Sequence, residues 1–529
     1  MTLFHEMFDA TAARHGERDA LVHGEQRISY AALRESSERL ATAFAARGVA
    51  RGHRIVVYLH NRPEVVEVAL AASRLGAIFV PANPLLRGRQ VQQVIEDSGA
   101  RLLITAQTAL AGLSDLAVKI PGLDIVVCDA DAGAPASFAA LLATPPTPRA
   151  SPAIDNDPVA ILYTSGSTGR PKGVVLSHRN LVSGARSVSR YLGNVAQDRL
   201  LAALPLSFDY GFSQVTTAFA VGACAITVQF STAASLLQVM EAQRITGLAG
   251  VPTMWAHLAD THWPPEAARS LRYLTNSGGV LPQVVIGKLQ ARAPEARIFC
   301  MYGLTEAFRS TYLDPAELAN RPGSIGKAIP NQEILVLRPD GTPCAPDEVG
   351  ELVHRGSLVT LGYWNDPELT RLRFRPMPGS NRGLSDEIVV FSGDQVRADA
   401  DGFLYFVGRT DGLIKVSGNR VSPTDIEEVL LEVPGVVEAI AVGVADDTLG
   451  QHIVVGLVTD STEKSAVVDS MRQATRLSLP AYMVPAQACI LDAIPRTVNG
   501  KQDRSAVLAD LEARLARNDP SMIDLRIRR

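Results

Sequence analysis

The chain has 529 residues, 47% of them apolar and 20% charged, with a formal net charge of −4 at pH 7. This is ordinary globular composition, which argues against a disordered chain, and the mixed acids and bases recommend no nucleic acid as partner. Five dispersed cysteines, Cys128, Cys224, Cys300, Cys344 and Cys489, show neither metal-ligand nor CxxC spacing and read as reduced cytoplasmic thiols.

At this length two or three domains are expected. The first twenty-one residues carry acids and lack the basic stretch, apolar core and cleavage site of a secretory signal. Residues 29–47 read as a helix, HRIVVYL at 53–59 as a strand, 63–75 as a second helix, and AIFVPANP follows. That succession predicts layered α/β architecture with parallel sheet. The Pro-, Ala- and Ser-rich stretch 134–157 reads as a surface connector, and 159–163 as the strand that opens the next unit. The apolar window 211–230 is interrupted by Ser213, Gln214, Thr216, Thr217 and Gln229, so core burial is expected rather than an integral membrane segment. From 334 to 350 the pattern turns strand-rich, with PDG at 339–341 as a turn. Beyond about 420, a helix near 423–432, strands at 437–444 and 452–458, a helix near 464–476 and a strand near 484–490 predict a small α+β domain.

Directly after the apolar run VAIL stands YTSGSTGRPK, 163–172. Its hydroxyls, close backbone donors and glycines suit phosphate oxygens, and Lys172 adds a mobile positive charge. The lysine does not stand where a GxxxxGK[ST] loop has it. Taken alone, the stretch is a phosphate-holding loop or a turn of small residues.

Four further motifs accompany it in order: YGLTE at 302–306, SGD at 392–394, GRTDGLIKVSGNR at 408–420 and NGK at 499–501. With them the chain resembles, over nearly its full length, the adenylate-forming superfamily of acyl-CoA synthetases, peptide-synthetase adenylation domains and luciferases. PANPLLRGRQV, LPLSFDYG, YGLTEAFRSTYLDP and SGNRVSPTDIEEVL also look like the exosortase-system-associated AMP-forming acyl-CoA ligases. The resemblance implies a large multi-subdomain N-terminal part, 1–410, with layered sheets and helices, and a small mobile α+β C-terminal domain, 411–529, hinged at Asp411. It implies ATP, Mg2+ and, as thiol co-substrate, CoA.

Residue by residue, the resemblance implies that Thr164, Ser165, Gly166, Ser167, Thr168, Gly169 and Lys172 surround the β- and γ-phosphates of ATP. Tyr302 packs on adenine, Thr305 contacts phosphate, and Glu306 associates with Mg2+, a hard ion suited to carboxylate oxygen. Asp394 accepts from the ribose hydroxyls, Arg409 is a second ribose-side contact, and Ser277, Gly278 and Gly279 line the boundary between adenine and the acyl pocket, which Gly303 also borders. Lys501 is the implied principal catalytic side chain, its positive charge favouring carboxylate approach and charge developing at phosphorus. Arg420 serves near phosphate, and Gly418 borders the thiol tunnel. Against these stand plain alternatives: a surface acid at Glu306, a bare loop at 277–279 and a solvated lysine at Lys501.

The substrate is less legible. Phe208 either shields an acyl-adenylate from water or is a core aromatic. Asp209 either meets a substrate ammonium or makes a structural hydrogen bond. Arg309 either meets a second acidic group or pairs with a protein carboxylate. An acyl acid passed to CoA is the favoured reading; an amino acid loaded onto a separate carrier protein is the first alternative, since no carrier domain is evident in this chain. A non-catalytic nucleotide-binding or scaffolding protein is the second.

Overall fold

The structure is a computed structural model that describes residues 2–113, 120–131, 133–134, 136–164, 171–279, 281, 283–379, 387–409, 413–421, 423–495 and 502–525. Its first half follows the sequence pattern closely. The helix Tyr30–Ala46 starts where the Ser29 side chain accepts from the Ala32 N–H, satisfying a donor the helix itself leaves open. The helix Pro63–Leu75 has proline in its first turn, where no N–H is needed, and stops at Gly76 in the left-handed conformation, φ 66°. Between them lie the strands Arg54–Tyr58 and Ile78–Pro81, paired in parallel. A sheet of six strands grows from this pair, ordered Asp124–Val127, Leu102–Thr105, Arg54–Tyr58, Ile78–Pro81, Pro158–Thr164 and Lys172–Ser177, parallel except for its last pair.

The expected connector at 134–157 needs correcting. It contains a short helix, Phe138–Leu142, capped by Ser137, with Phe138 and Leu141 buried. A cap residue followed by two apolar side chains one turn apart supplied a start and a face to bury, which proline and alanine content concealed. The window 211–230 is core as expected. It splits into the largely buried helix Asp209–Val221 and the fully buried strand Cys224–Thr227. Among the described residues no helix is long and apolar enough to cross a membrane.

With the six-stranded sheet adding Thr164 and Lys172, the largest sheet carries most of the site. Its parallel half runs Asp19–His23, Cys224–Thr227, Arg199–Ala202, Gly247–Gly250, Tyr273–Asn276 and Arg297–Tyr302. An antiparallel half continues through Thr311–Tyr312, Ser324–Ala328, Leu404–Arg409, Ile388–Ala398, Val349–Gly356 and Gln332–Leu337. A third sheet, built from Ile414–Val416, Asn419–Val421, Val436–Asp446, Gly450–Thr459, Gln487–Ile490 and Met522–Asp524, is the smaller C-terminal α+β domain. Its apolar core, with Ile414, Val421, Ile426, Leu430 and Leu457, is separate from the two large clusters of the N-terminal part. The chain passes from one part to the other between Arg409, in the largest sheet, and Ile414; Asp411 lies outside the described residues.

Candidate active site

Parallel strands end together, and the loops leaving their carboxyl ends enclose a crevice, the usual place for ligands in open α/β sheets. Here five segments converge on one cavity of about 780 Å³. Thr164 ends its strand, Phe208 and Asp209 follow Arg199–Ala202, Val251 follows Gly247–Gly250, Ser277 to Gly279 follow Tyr273–Asn276, and Tyr302 ends Arg297–Tyr302. Thr305 and Gly303 line it from the turn beyond.

Among the adenine and ribose candidates Asp394 and Tyr302 are buried, whereas Gly278 is exposed. Asp394 is fully buried and Tyr302 nearly so, and the Tyr302 hydroxyl donates to Asp394 Oδ2. The backbone N–H of Asp394 donates to Ser392 Oγ at 3.0 Å. Strand register sets Arg409 directly across from Asp394. The Tyr302 ring stacks on buried His354, centroids 6.2 Å apart and planes at 16°. The loop at 277–279 is pinned by the Asn276 side-chain N–H donating to the Gly279 carbonyl at 2.9 Å, and Gly278 takes φ 84°, which favours glycine.

Thr164 and Lys172 face each other as partners in an antiparallel pair, so they form the two feet of the candidate phosphate loop. Thr164 Oγ1 reaches the Lys172 carbonyl at 3.4 Å. Ser165, Gly166, Ser167, Thr168 and Gly169 lie outside the described residues, as does Lys501. Glu306 sits in the short turn Thr305–Ala307, where Tyr363 donates its hydroxyl to Glu306 Oε1 at 2.6 Å and Thr360 donates to its backbone carbonyl at 2.9 Å. Tyr363 gave no signal in the sequence, being distant in the chain and outside every motif. Among the described residues no group of three or more His, Cys, Asp or Glu side chains could hold a metal. A single carboxylate beside a hydroxyl-bearing threonine nevertheless fits Mg2+, which typically takes one or two carboxylates plus substrate phosphates and water.

The other wall comes from the C-terminal domain. The hairpin Ile414–Val416 with Asn419–Val421 sets Gly418, φ 78°, against the N-terminal part, and Lys415, Ser417 and Asn419 also line the cavity. A Cβ on Gly418 would lie 2.9 Å from the Cβ and Cγ1 of Val251, and one on Gly278 would lie 3.5 Å from the Gly418 carbonyl oxygen. At Gly418 the short distance and the positive φ both call for a residue without a side chain, whereas 3.5 Å at Gly278 is ordinary contact. The backbone of Arg420 belongs to the same hairpin, opposite Lys415.

Two acyl-pocket candidates, Phe208 and Asp209, line the cavity. Asp209 has a protein cation near it, Arg309 Nη1 at 3.7 Å, and Arg309 lies over the Tyr210 ring at 4.4 Å. Asp209 also opens the helix Asp209–Val221, where the peptide dipoles favour a negative charge. Phe208, partly exposed, lines the cavity and does not belong to the closed core. Cys300 lines it too, but burial pushes its thiol up to about 12, so it offers no thiolate near neutral pH.

The AMP-binding enzyme model matches residues 8–364, and the AMP-binding enzyme C-terminal domain model matches 425–501. An L-proline–[L-prolyl-carrier protein] ligase of Pseudomonas fluorescens is 31% identical over 97% of this chain and 100% of its own length. An indoleacetate–CoA ligase of Aromatoleum aromaticum is 30% identical over 94% of this chain and 96% of its own. A linear gramicidin synthase polypeptide of Brevibacillus parabrevis is 30% identical over 95% of this chain, which spans only 10% of that protein. Among solved structures, an o-succinylbenzoate CoA synthetase double mutant from Bacillus subtilis, bound with a product analogue, superposes with a TM-score of 0.83 at 27% identity, covering 95% of this chain and 98% of that one. The same enzyme with its acyl-adenylate intermediate gives 0.68 at 27% identity, covering 95% and 97%.

Proposed function

Since the chain belongs to the AMP-binding enzyme family, we propose that it is an AMP-forming acid–thiol ligase. It joins a carboxylic acid to ATP, giving acyl-AMP and pyrophosphate; the thiol of CoA then attacks the acyl carbonyl, giving the thioester and releasing AMP. The observation that carries this reading is the convergence of Thr164, Ser277 to Gly279, Tyr302 and Thr305 on one cavity, with Tyr302 in its wall hydrogen-bonded to the buried Asp394. The CoA-synthetase likeness and the indoleacetate–CoA ligase relative support CoA as acceptor. The prolyl-carrier relative supports the alternative, loading of a separate carrier protein. The PANPLLRGRQV and SGNRVSPTDIEEVL stretches support the exosortase-associated subgroup, and the dispersed, unpaired cysteines support a cytoplasmic location.

In this reading Asp394 and Arg409 hold the ribose, Tyr302 and the 277–279 loop hold adenine, and Thr164 with the following loop and Lys172 orients the departing phosphates. Glu306, steadied by Tyr363, would hold Mg2+, which supplies charge neutralisation between the phosphates. Lys501 approaches the carboxylate and α-phosphate in the first half-reaction, with Arg420 near phosphate. Rotation about Asp411, between the domains 1–410 and 411–529, then withdraws Lys501 and brings Gly418 beside the tunnel through which the thiol reaches the acyl-AMP. The higher superposition score with the product-analogue complex than with the adenylate complex of the same enzyme supports reading the present arrangement as the thiol-accepting one.

The test is Lys501→Ala. Acid-dependent ATP–pyrophosphate exchange should fall by about 10²–10³-fold, while ATP binding and thiolysis of supplied acyl-AMP persist. Equal loss of both half-reactions would refute the division of labour, and amino-acid-dependent exchange without any CoA product would move the reading to carrier loading.

A further inference from the structure

The reaction above leaves the acid unnamed, and one cavity side chain has no part in it. Arg309 is 3% exposed and lines the cavity beside Phe208, Asp209 and Tyr210. Its loop is fixed from both sides. Phe308 takes a positive φ, 54°, that phenylalanine seldom adopts, and a Cβ on Gly184 would collide with its ring at 2.4 Å. A Cβ on Gly303 would lie 3.5 Å from the Arg309 Cα, so the arginine follows the nucleotide-side turn 302–305 closely in space.

Arg309 is poorly satisfied by protein. Its contact with Asp209 is 3.7 Å, whereas a charge-assisted hydrogen bond closes to about 2.7–2.9 Å. Nη2 is buried with no hydrogen-bond partner among the described residues. Other arginines of the chain are gripped far better: Arg74 donates to both Asp9 oxygens at 2.6 and 2.8 Å, and Arg272 Nη1 reaches both Asp198 oxygens at 2.6 Å. Asp209 has its own reason to be where it is, at a helix N-terminus, and does not need this arginine. A guanidinium buried with unmet donors costs free energy that a structural role does not return. The other arginines and lysines lining the cavity differ in burial: Arg87 and Arg89 are exposed, and Lys415, half-buried, lies over the Phe406 ring much as Arg309 lies over Tyr210.

Resting on the adenylation reading, we propose that Arg309 sets acid specificity by receiving a second anionic group, a carboxylate or a sulfonate, on an acid whose other carboxylate is activated. The planar fork of arginine suits such a group, donating two parallel N–H bonds to its oxygens. An ammonium beside Asp209 would then sit against the guanidinium, so the acid carries no amino group there.

The experiment is ATP–pyrophosphate exchange by the full-length wild-type chain over matched straight-chain acids of about three to six carbons: monocarboxylic, dicarboxylic, ω-sulfonated and 2-amino dicarboxylic. Dianionic acids without an amino group are expected to lead their monoanionic matches by about 10–100-fold in kcat/KM. The two dianionic arms tell carboxylate from sulfonate. Arg309→Met should collapse that ratio toward one, chiefly through the KM of the dianionic acid, and Arg309→Lys should restore part of it. The wild-type panel stands even if a variant fails to fold. Exchange that is indifferent to the second anion, best with uncharged chains, or best with the amino diacids overturns the inference and leaves adenylation intact; exchange with no acid, alongside no ATP binding, overturns the underlying reading and the inference with it.

Discussion

The two walls of the cavity are built in different ways. The N-terminal wall grows from the strand ends of two sheets, its loops tied by the buried contact of Tyr302 with Asp394 and the part-buried one of Asn276 with Gly279. The C-terminal wall is a hairpin of a separately cored domain, set against Val251 and Gly278 by close backbone approach. One polar tie between the two parts is the ion pair Arg89–Glu432, 2.7 Å long but with side chains 67% and 60% exposed. Such exposed pairs contribute about 0–1 kcal/mol. A wall joined by buried hydrogen bonds keeps one geometry, whereas a wall joined by surface charges and a glycine contact can be exchanged for another at small cost.

That contrast can be broken by experiment. The largest effect is expected on the fixed wall: Asp394→Ala removes one partner of a buried pair, and ATP–pyrophosphate exchange should fall by about 10²–10³-fold, with a raised KM for ATP. A loss below about threefold would mean that the buried pair is not part of the nucleotide site. Next, Gly418→Leu places a side chain where a Cβ already meets Val251 at 2.9 Å. Thioester formation from acyl-AMP and CoA should drop by about 10²-fold while exchange changes by less than about threefold. Equal losses in both steps would show that the hairpin belongs to the fixed wall. The smallest effect is expected from Arg89→Ala, which should move the melting temperature by no more than about 2 °C and either rate by less than about threefold. A larger change would make that ion pair a latch that sharpens the contrast from the other side.

Helices and strands of the first half were legible because their signals are local. Ser29 caps, Pro63 opens and Gly76 closes, each within a turn of the element it bounds. The short helix at Phe138–Leu142 escaped notice because its segment's proline and alanine content outweighed a single turn of apolar periodicity. Motif order pointed to Tyr302 and Asp394 separately, but their contact spans 92 positions and no local pattern encodes it. Tyr363, which holds Glu306, was missed for the same reason.

The amino-acid sequence by itself determined the α/β character, the smaller C-terminal α+β unit and the ordered motifs of an adenylate-forming chain, since each rests on residues close together along the backbone. Only the tertiary structure decided what those residues meet. It put Arg309 within 3.7 Å of Asp209, turning an open choice of partner for the aspartate into a protein cation with a donor to spare. It also set Gly418 against Val251. Both contacts join chain segments brought together by sheet order and domain packing, and close packing of distant surfaces is a property that spacing along one chain does not carry.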